Sequence, residues 1–147
     1  MQSNTQTPKT HVACPACFKE NRVPLERLHQ HPKCGSCGAA LLEGKPVALT
    51  EGNFDAFLKP DGLPVVVDFW APWCGPCRAM APAFEQAADR LRTRVRFAKL
   101  NTDELQALAG RYGIRSIPTM IVFQGGKEIK RVSGALDAHS MVQWITS

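Results

Sequence analysis

The six cysteines of the chain occur as three Cys-x-x-Cys pairs, namely Cys14/Cys17, Cys34/Cys37 and Cys74/Cys77. Paired thiols of this kind bind metals or exchange disulfides in cytosolic proteins, whereas secreted proteins use an even cysteine count as a disulfide framework. The first ten residues have neither the charged start nor the apolar stretch of a secretory signal. We therefore expect a cytoplasmic protein in which these cysteines perform metal or redox chemistry.

The third pair lies between an apolar segment, Leu63 to Trp70, and a stretch with helical periodicity. A helix N-terminus favours negative charge, so Cys74 is expected to form the thiolate that attacks a disulfide. Cys77, one turn further along, could then attack the mixed disulfide and release the reduced substrate. A zinc knuckle and an inert buried pair are the alternatives, and the strand-turn-helix context favours the redox interpretation.

A single acid, Asp68, interrupts the apolar segment. Burial should raise the pKa of this carboxyl, and a carboxyl near Cys77 could accept the proton of that thiol. Lys99 lies on the next predicted strand, on the same face as two apolar residues, and could partner Asp68. A purely structural buried ion pair is the alternative function of these two residues.

The first two pairs are separated by 16 residues, which matches the spacing of a four-thiolate metal site. Four thiolates close a tetrahedral shell, so we expect one structural Zn(II) per chain, bound by Cys14, Cys17, Cys34 and Cys37. Iron and two redox disulfides are alternatives. Substitution of His29 or His31 for a cysteine ligand is disfavoured, because four thiolates already complete the shell.

The chain has 147 residues and a formal charge of +5, which fits one main domain with a small appendage. Residues 1–10 are polar and expected to be frayed. Residues 11–45 contain few large apolar side chains and need a metal to fold, so they are expected to form a zinc-binding module. A Gly-Lys-Pro step at residues 44–46 predicts the domain boundary, and residues 46–147 are expected to form the second domain.

Residues 46–147 alternate between strand and helix patterns in the order βαβαβαββα, which predicts an α/β fold. The nearly continuous apolar strand before Cys74 is typical of a central strand covered on both faces, so helices are expected on both sides of a mixed sheet. Thr50 and Thr102 are expected to cap helices. Gly125-Gly126 predicts a hairpin between the last two strands.

Several segments resemble the thioredoxin family, in the same order and at matching spacing across residues 47–147: VVVDFWAPWCGPCRAMAP, FAKLNTD, YGIRSIPT, FQGGK and VSGA. With its four-cysteine extension, the whole chain resembles the second bacterial type of thioredoxin. The resemblance implies a thioredoxin fold with an N-terminal zinc-ribbon-like module.

The resemblance also implies roles for individual residues. The catalytic set comprises the nucleophile, the resolving cysteine, the buried proton-relay aspartate and a lysine: Cys74, Cys77, Asp68 and Lys99. Gly75 and Pro76 would set the reducing potential. The residues expected to contact substrate are Trp73, Pro118, which matches a cis-proline, and Gly134, for which an ordinary turn glycine is the alternative.

The expected function is general protein-disulfide reduction, a thiol-disulfide oxidoreductase activity that needs no organic cofactor. The resemblance implies two kinds of partner: disulfide-containing proteins and an NADPH-dependent, flavin-containing thioredoxin reductase. We expect a monomer without membrane contact. A zinc-controlled redox sensor or binding adaptor, in which oxidation ejects the metal, is the alternative function.

The basic residues give little support for nucleic-acid binding. Those of the first 45 residues are dispersed, and only Phe18 is available there to stack on a base. The densest basic run alternates through a helix end and a strand start, at Arg90, Arg92, Arg94 and Arg96. This run is interpreted as a solvated face.

Overall fold

The computed structural model describes residues 8–147, which form two separate β-sheets. The smaller sheet is an antiparallel hairpin of β1 (Lys9–Ala13) and β2 (Glu20–Pro24), followed by a short 3-10 helix, Leu25–Arg27. Most of the segment expected to be frayed lies outside the described residues. In its described part, Lys9 and Thr10 belong to β1, and Thr10 is buried.

The larger sheet has five strands in the order β3-β5-β4-β6-β7. Strands β3 and β4 run parallel to β5, whereas β6 is antiparallel to β4 and β7 is antiparallel to β6. The predicted mixed sheet is therefore confirmed. The strands are β3 (Val47–Ala48), β4 (Val65–Trp70), β5 (Arg96–Asn101), β6 (Thr119–Gln124) and β7 (Lys127–Ser133).

Helices cover both faces of this sheet, as the apolar pattern of β4 predicts. They are α1 (Phe54–Leu58), α2 (Gly75–Arg90), α3 (Gln106–Arg111) and α4 (Ala138–Thr146). Val65, Val67 and Phe69 pack in the cluster that contains α1 and α3 residues. Val66 packs with α2 and α4. Since side chains alternate along a strand, Asp68 faces the α2 side. In residues 8–147 no helix combines the length and the apolarity needed to cross a bilayer.

Neither predicted helix cap is the N-cap residue of its helix. The N-cap of α1 is Asn53, although Thr50 Oγ1 accepts a hydrogen bond from the Asn53 N–H and Asn53 Oδ1 accepts one from the Thr50 N–H. The prediction for Thr102 is wrong, since α3 begins only at Gln106. Asn101 Oδ1 instead accepts hydrogen bonds from the backbone N–H groups of Asp103 and Glu104. The Thr102 hydroxyl donates to the Trp70 carbonyl.

The hairpin packs directly on the larger domain at Gly62, in the loop before β4. A Cβ atom added to Gly62 would lie 2.6 Å from the His11 backbone nitrogen and still closer to the His11 carbonyl oxygen. The absence of a side chain therefore lets β1 approach this loop. Gly110 in α3 is the opposite case, because a Cβ atom there would have no neighbour within 4 Å.

These two glycines provide a matched pair of substitutions. Gly62→Ala should lower the free energy of unfolding by about 1–3 kcal/mol, because backbone atoms of β1 must move to make room. Gly110→Ala should raise it by about 0.5–1 kcal/mol, since alanine restricts the unfolded chain and fits a helix. Urea unfolding followed by tryptophan fluorescence measures both changes. Equal stability of the two variants would contradict close packing of β1 on Gly62.

Candidate active site and metal centre

The third cysteine pair lies at the N-terminus of α2, where a disulfide joins Cys74 to Cys77 across a Cα–Cα distance of 5.3 Å. Cys74 is the N-cap residue, and its Sγ accepts a hydrogen bond from the Cys77 N–H at 3.2 Å. Gly75 and Pro76 occupy the first helical turn. Both cysteines are buried, with 4% and 2% of their surface exposed, so burial barely distinguishes them in this disulfide form.

The loop before β6 lies beside this disulfide. Cys74 Sγ is 3.8 Å from the Ile117 carbonyl oxygen, and the Ile117-Pro118 peptide bond is cis, as the resemblance implies. The Pro118 carbonyl accepts a hydrogen bond from the Gly134 N–H at 2.9 Å. Gly134 has a φ of +99° and open space around its Cα, so its backbone conformation, rather than a crowded neighbour, requires glycine.

Trp73 lies at the surface next to the disulfide, with 69% of its area exposed. Its Nε1 donates a hydrogen bond to Asp103 Oδ1 at 3.2 Å, which fixes the orientation of the indole ring. The contact between Asp103 and Trp73 has no sign in the sequence, because it depends on the loop after β5 reaching the loop after β4.

Asp68 is 1% exposed, and neither carboxylate oxygen has a hydrogen-bond partner among the described residues. Burial raises the pKa of this carboxyl to about 7, although the charge of Lys99 opposes the rise. A carboxyl with this pKa changes its protonation state near neutral pH. This outcome agrees with the direction expected from the sequence.

Lys99 is the register partner of Asp68 on the neighbouring parallel strand. The direct ion pair considered above is not formed, because no pair between these residues occurs within 4 Å in the described chain. Lys99 Nζ lies instead 4.4 Å from the centroid of the Trp70 ring. Its influence on Asp68 is therefore through its charge alone.

The four N-terminal cysteines converge on one point, with all their sulfur atoms within 4.8 Å of one another. We call the turns 14–17 and 34–37 the first and second knuckle. Sulfur atoms of the two knuckles lie 3.6 Å apart, Cys14 Sγ from Cys37 Sγ and Cys17 Sγ from Cys34 Sγ. A tetrahedral zinc site with Zn–S bonds of about 2.3 Å needs sulfur separations of about 3.8 Å. The four sulfurs fit such an ion, and all four cysteines are free of disulfides.

Backbone N–H groups point toward the sulfur of the first cysteine in each knuckle. Those of Ala16 and Cys17 donate to Cys14 Sγ, and those of Ser36 and Cys37 donate to Cys34 Sγ, at 3.3–3.5 Å. Such donors stabilise thiolates over thiols. His29 and His31 are not part of the cluster, which agrees with the preference for four thiolates.

Asn21, on β2, belongs to the surroundings of this centre and carried no signal in the sequence. Its Nδ2 donates to Cys34 Sγ at 3.5 Å, and its Oδ1 accepts from the Gly35 N–H at 2.9 Å. With the backbone N–H of Cys37 as the largest contribution, these donors lower the pKa of Cys34 to about 6. Asn21 thus orients the Cys34 thiol and connects it to the backbone of the second knuckle.

The interpretation of the basic run as a solvated face is wrong for Arg96, which is only 7% exposed. Its guanidinium donates to the carbonyls of Ala13 and Leu41, which belong to the N-terminal module. Strand alternation does not reveal this burial, because the module that covers Arg96 is distant in sequence.

The comparisons with known proteins agree with this geometry. The family model described as "Thioredoxin" matches residues 45–147, and the model described as "Thioredoxin 2, N-terminal" matches residues 13–39. Thioredoxin C-3 of Corynebacterium nephridii is 43% identical over 134 residues, which cover 91% of this chain and 92% of that protein. The chloroplastic M-type thioredoxin of Chlamydomonas reinhardtii is 44% identical over 126 residues, covering 84% and 90%.

Solved structures show the same fold for the larger domain. Thioredoxin f from spinach chloroplast superimposes with a TM-score of 0.64 and 34% identity, covering 72% of this chain and 90% of that one. An N21Q mutant thioredoxin from Halobacterium salinarum gives a TM-score of 0.63 and 33% identity, covering 69% and 88%. The chain therefore belongs to the thioredoxin family of thiol-disulfide oxidoreductases and carries, ahead of its thioredoxin domain, the N-terminal zinc-ribbon module of thioredoxin 2.

Proposed function

We propose that the protein is a general protein-disulfide reductase whose reactive groups are Cys74 and Cys77. The observation that supports this most directly is the position of the pair: a disulfide at the N-terminus of α2, beside the exposed Trp73, with Asp68 buried on the face of β4 that α2 covers. Trp73 directly precedes Cys74, the carbonyl that precedes Pro118 lies 3.8 Å from Cys74 Sγ, and the Gly134 N–H donates to the Pro118 carbonyl. These three residues would contact the polypeptide on either side of a substrate disulfide.

In the reduced protein, the Cys74 thiolate attacks one sulfur of a substrate disulfide. A bond forms between Cys74 Sγ and that sulfur, and the second substrate sulfur leaves as a thiolate that takes a proton from solvent. Cys77 then loses its proton and attacks Cys74 Sγ, which releases the first substrate sulfur as a thiolate. The substrate has gained two electrons, and the protein ends as the disulfide seen here.

Asp68 is assigned the proton transfer at Cys77. Its carboxyl faces the α2 side of the sheet, where it has no competing hydrogen-bond donor, and its pKa of about 7 lets it accept and return a proton at neutral pH. Lys99 tunes this group through its charge. Gly75 and Pro76 are assigned the tuning of the reduction potential, as the intervening residues of the pair.

Within this proposal, the N-terminal module is structural and holds one Zn(II) per chain. Cys14, Cys17, Cys34 and Cys37 would bind the ion, which would crosslink the two knuckles of a segment that has only a small apolar core. The module would span residues 11–45 and the thioredoxin domain residues 46–147. The proposed partners are disulfide-containing proteins and an NADPH-dependent thioredoxin reductase, acting on a cytoplasmic monomer.

A zinc-controlled redox sensor is the second candidate function. The observation in its favour is that Cys17 and Cys37 are exposed, so an oxidant can reach one ligand in each knuckle. Oxidation of these thiolates would remove the ligands and release the metal.

Replacement of a metal ligand separates the two functions. Cys14→Ala should lose the metal yet reduce insulin, with thioredoxin reductase and NADPH, at a rate within about threefold of wild type, because the reacting sulfurs belong to another domain. NADPH consumption and metal content measure the two properties. A loss of turnover in Cys14→Ala would contradict the structural role of the module. Zinc release from wild type at substoichiometric oxidant would support the sensor.

A further inference from the structure

The buried guanidinium of Arg96 joins the two ends of the cysteine module to the thioredoxin domain. Arg96 is the first residue of β5, and its two terminal nitrogens donate to the Ala13 carbonyl at 3.0 Å and the Leu41 carbonyl at 3.2 Å. Ala13 directly precedes Cys14, and Leu41 follows the second knuckle. One side chain therefore holds the chain as it enters and as it leaves the four-cysteine site.

The charge of Arg96 is not balanced by an acidic side chain. Among residues 8–147, the carboxylate ion pairs involve other cations. Burial lowers the pKa of Arg96 only to about 10. Arg96 thus stays positive at neutral pH. Four thiolates around a divalent ion would carry a net charge of 2−. Because Arg96 binds the carbonyl of Ala13, which directly precedes Cys14, a metal-loaded site would place negative charge on this side of the guanidinium.

A second contact connects the first knuckle to the same place. Phe18, directly after Cys17, has a φ of 63°, which is unusual for a residue other than glycine. Its backbone N–H donates a hydrogen bond to the Cys14 carbonyl at 2.9 Å. This conformation directs the ring edge-on against Phe57 of α1, with centroids 6.3 Å apart. The Arg96 guanidinium lies 4.8 Å from the centroid of the same Phe57 ring.

We propose that Arg96, Phe57 and Phe18 form a latch that couples metal binding by the four cysteines to docking of their module on the thioredoxin domain. The latch rests on the metal site proposed above. With metal bound, the knuckle holds Phe18 against Phe57 and the thiolates offset the charge of Arg96. Without metal, both contacts weaken together. Because such coupling is reciprocal, a residue that holds the docked module also raises metal affinity, although it touches no ligand sulfur.

Arg96→Met tests the latch, with Arg94→Met as the matched control because Arg94 is exposed on the same segment. Each full-length variant is loaded with Zn²⁺ and titrated with a chelator while metal release is measured. We expect Arg96→Met to bind Zn²⁺ at least about tenfold more weakly than wild type, and Arg94→Met to match wild type. Limited proteolysis should cut residues 8–45 faster in Arg96→Met than in wild type or Arg94→Met.

Phe18→Ser tests the latch from the module side and leaves β5 unchanged, so it remains informative if Arg96→Met folds poorly. It should also weaken Zn²⁺ binding and expose the module, while insulin reduction persists. Equal Zn²⁺ affinity and equal protection in Phe18→Ser, Arg96→Met and the control would overturn the latch without affecting the proposed reductase function. If the wild-type protein does not bind Zn²⁺, the metal site and the latch are both overturned. If the wild-type protein does not reduce insulin, the proposed reductase function is overturned.

Discussion

Cys74→Ser should lower the rate of insulin reduction by at least about 10³-fold, because a serine hydroxyl is not ionised at neutral pH and cannot attack a disulfide. The substitution exchanges one atom at the N-cap of α2, where serine is also a favourable cap. The fold should therefore persist. NADPH oxidation in the presence of thioredoxin reductase measures the rate, and unfolding in urea checks the structure.

Cys77→Ser is the matched control, since it removes the second thiol of the same pair and keeps the attacking one. This variant should also fail to turn over, but it should accumulate a covalent adduct with substrate on Cys74, because nothing resolves the mixed disulfide. Mass spectrometry of the intact protein detects the adduct. Turnover by Cys74→Ser, or the absence of any adduct on Cys77→Ser, would show that Cys74 is not the nucleophile.

Asp68→Asn should make the oxidised protein more stable, and the gain should grow with pH. The native pKa of about 7 lies above the ordinary value of 3.8, so the native state binds more protons than the unfolded state between these values. Wild-type stability then falls as pH rises through this window, because the buried carboxyl must ionise. The asparagine amide of the variant does not ionise, so its stability does not fall with pH in this way. The expected difference is small below pH 4 and on the order of 4 kcal/mol above pH 7.

Urea unfolding of the oxidised protein at a series of pH values measures this difference. Asp89→Asn is the control, because the Asp89 side chain is 72% exposed and its removal should leave the pH dependence of stability unchanged. If proton transfer at Cys77 uses Asp68, the Asp68→Asn variant should in addition resolve mixed disulfides more slowly near pH 7. A parallel pH dependence in wild type and Asp68→Asn would mean that this carboxyl is ionised at no cost in the native state.

The spacing of the cysteines was sufficient to predict both sites. Each Cys-x-x-Cys pair is local, so its geometry follows from one turn of chain, and two such pairs can complete a tetrahedral shell once they meet. The unbroken apolar pattern of β4 likewise predicted a central strand with helices on both faces. It also indicated the burial and the raised pKa of Asp68, because a charge within such a strand has no route to water.

The surroundings of these sites could not be predicted in the same way. Arg96 alternates with exposed arginines and has no local sign of burial, yet the hairpin of the N-terminal module covers it. The contact between Lys99 and Trp70, in place of an ion pair with Asp68, depends on side-chain packing between strands. Asn21 reaches Cys34 only because β2 passes beside the second knuckle.

The sequence by itself predicted which sulfurs would react and which would bind metal, because those properties depend on residue type and on spacings of a few residues. Only the tertiary structure decided which polar groups accompany them: the carboxyl of Asp68, which has no hydrogen-bond partner within residues 8–147, the indole of Trp73 bound to Asp103, and the guanidinium of Arg96 on two distant carbonyls. The physical reason is that hydrogen bonds and charge interactions act over a few ångströms of space. Folding brings together residues that the chain separates by as many as 83 positions.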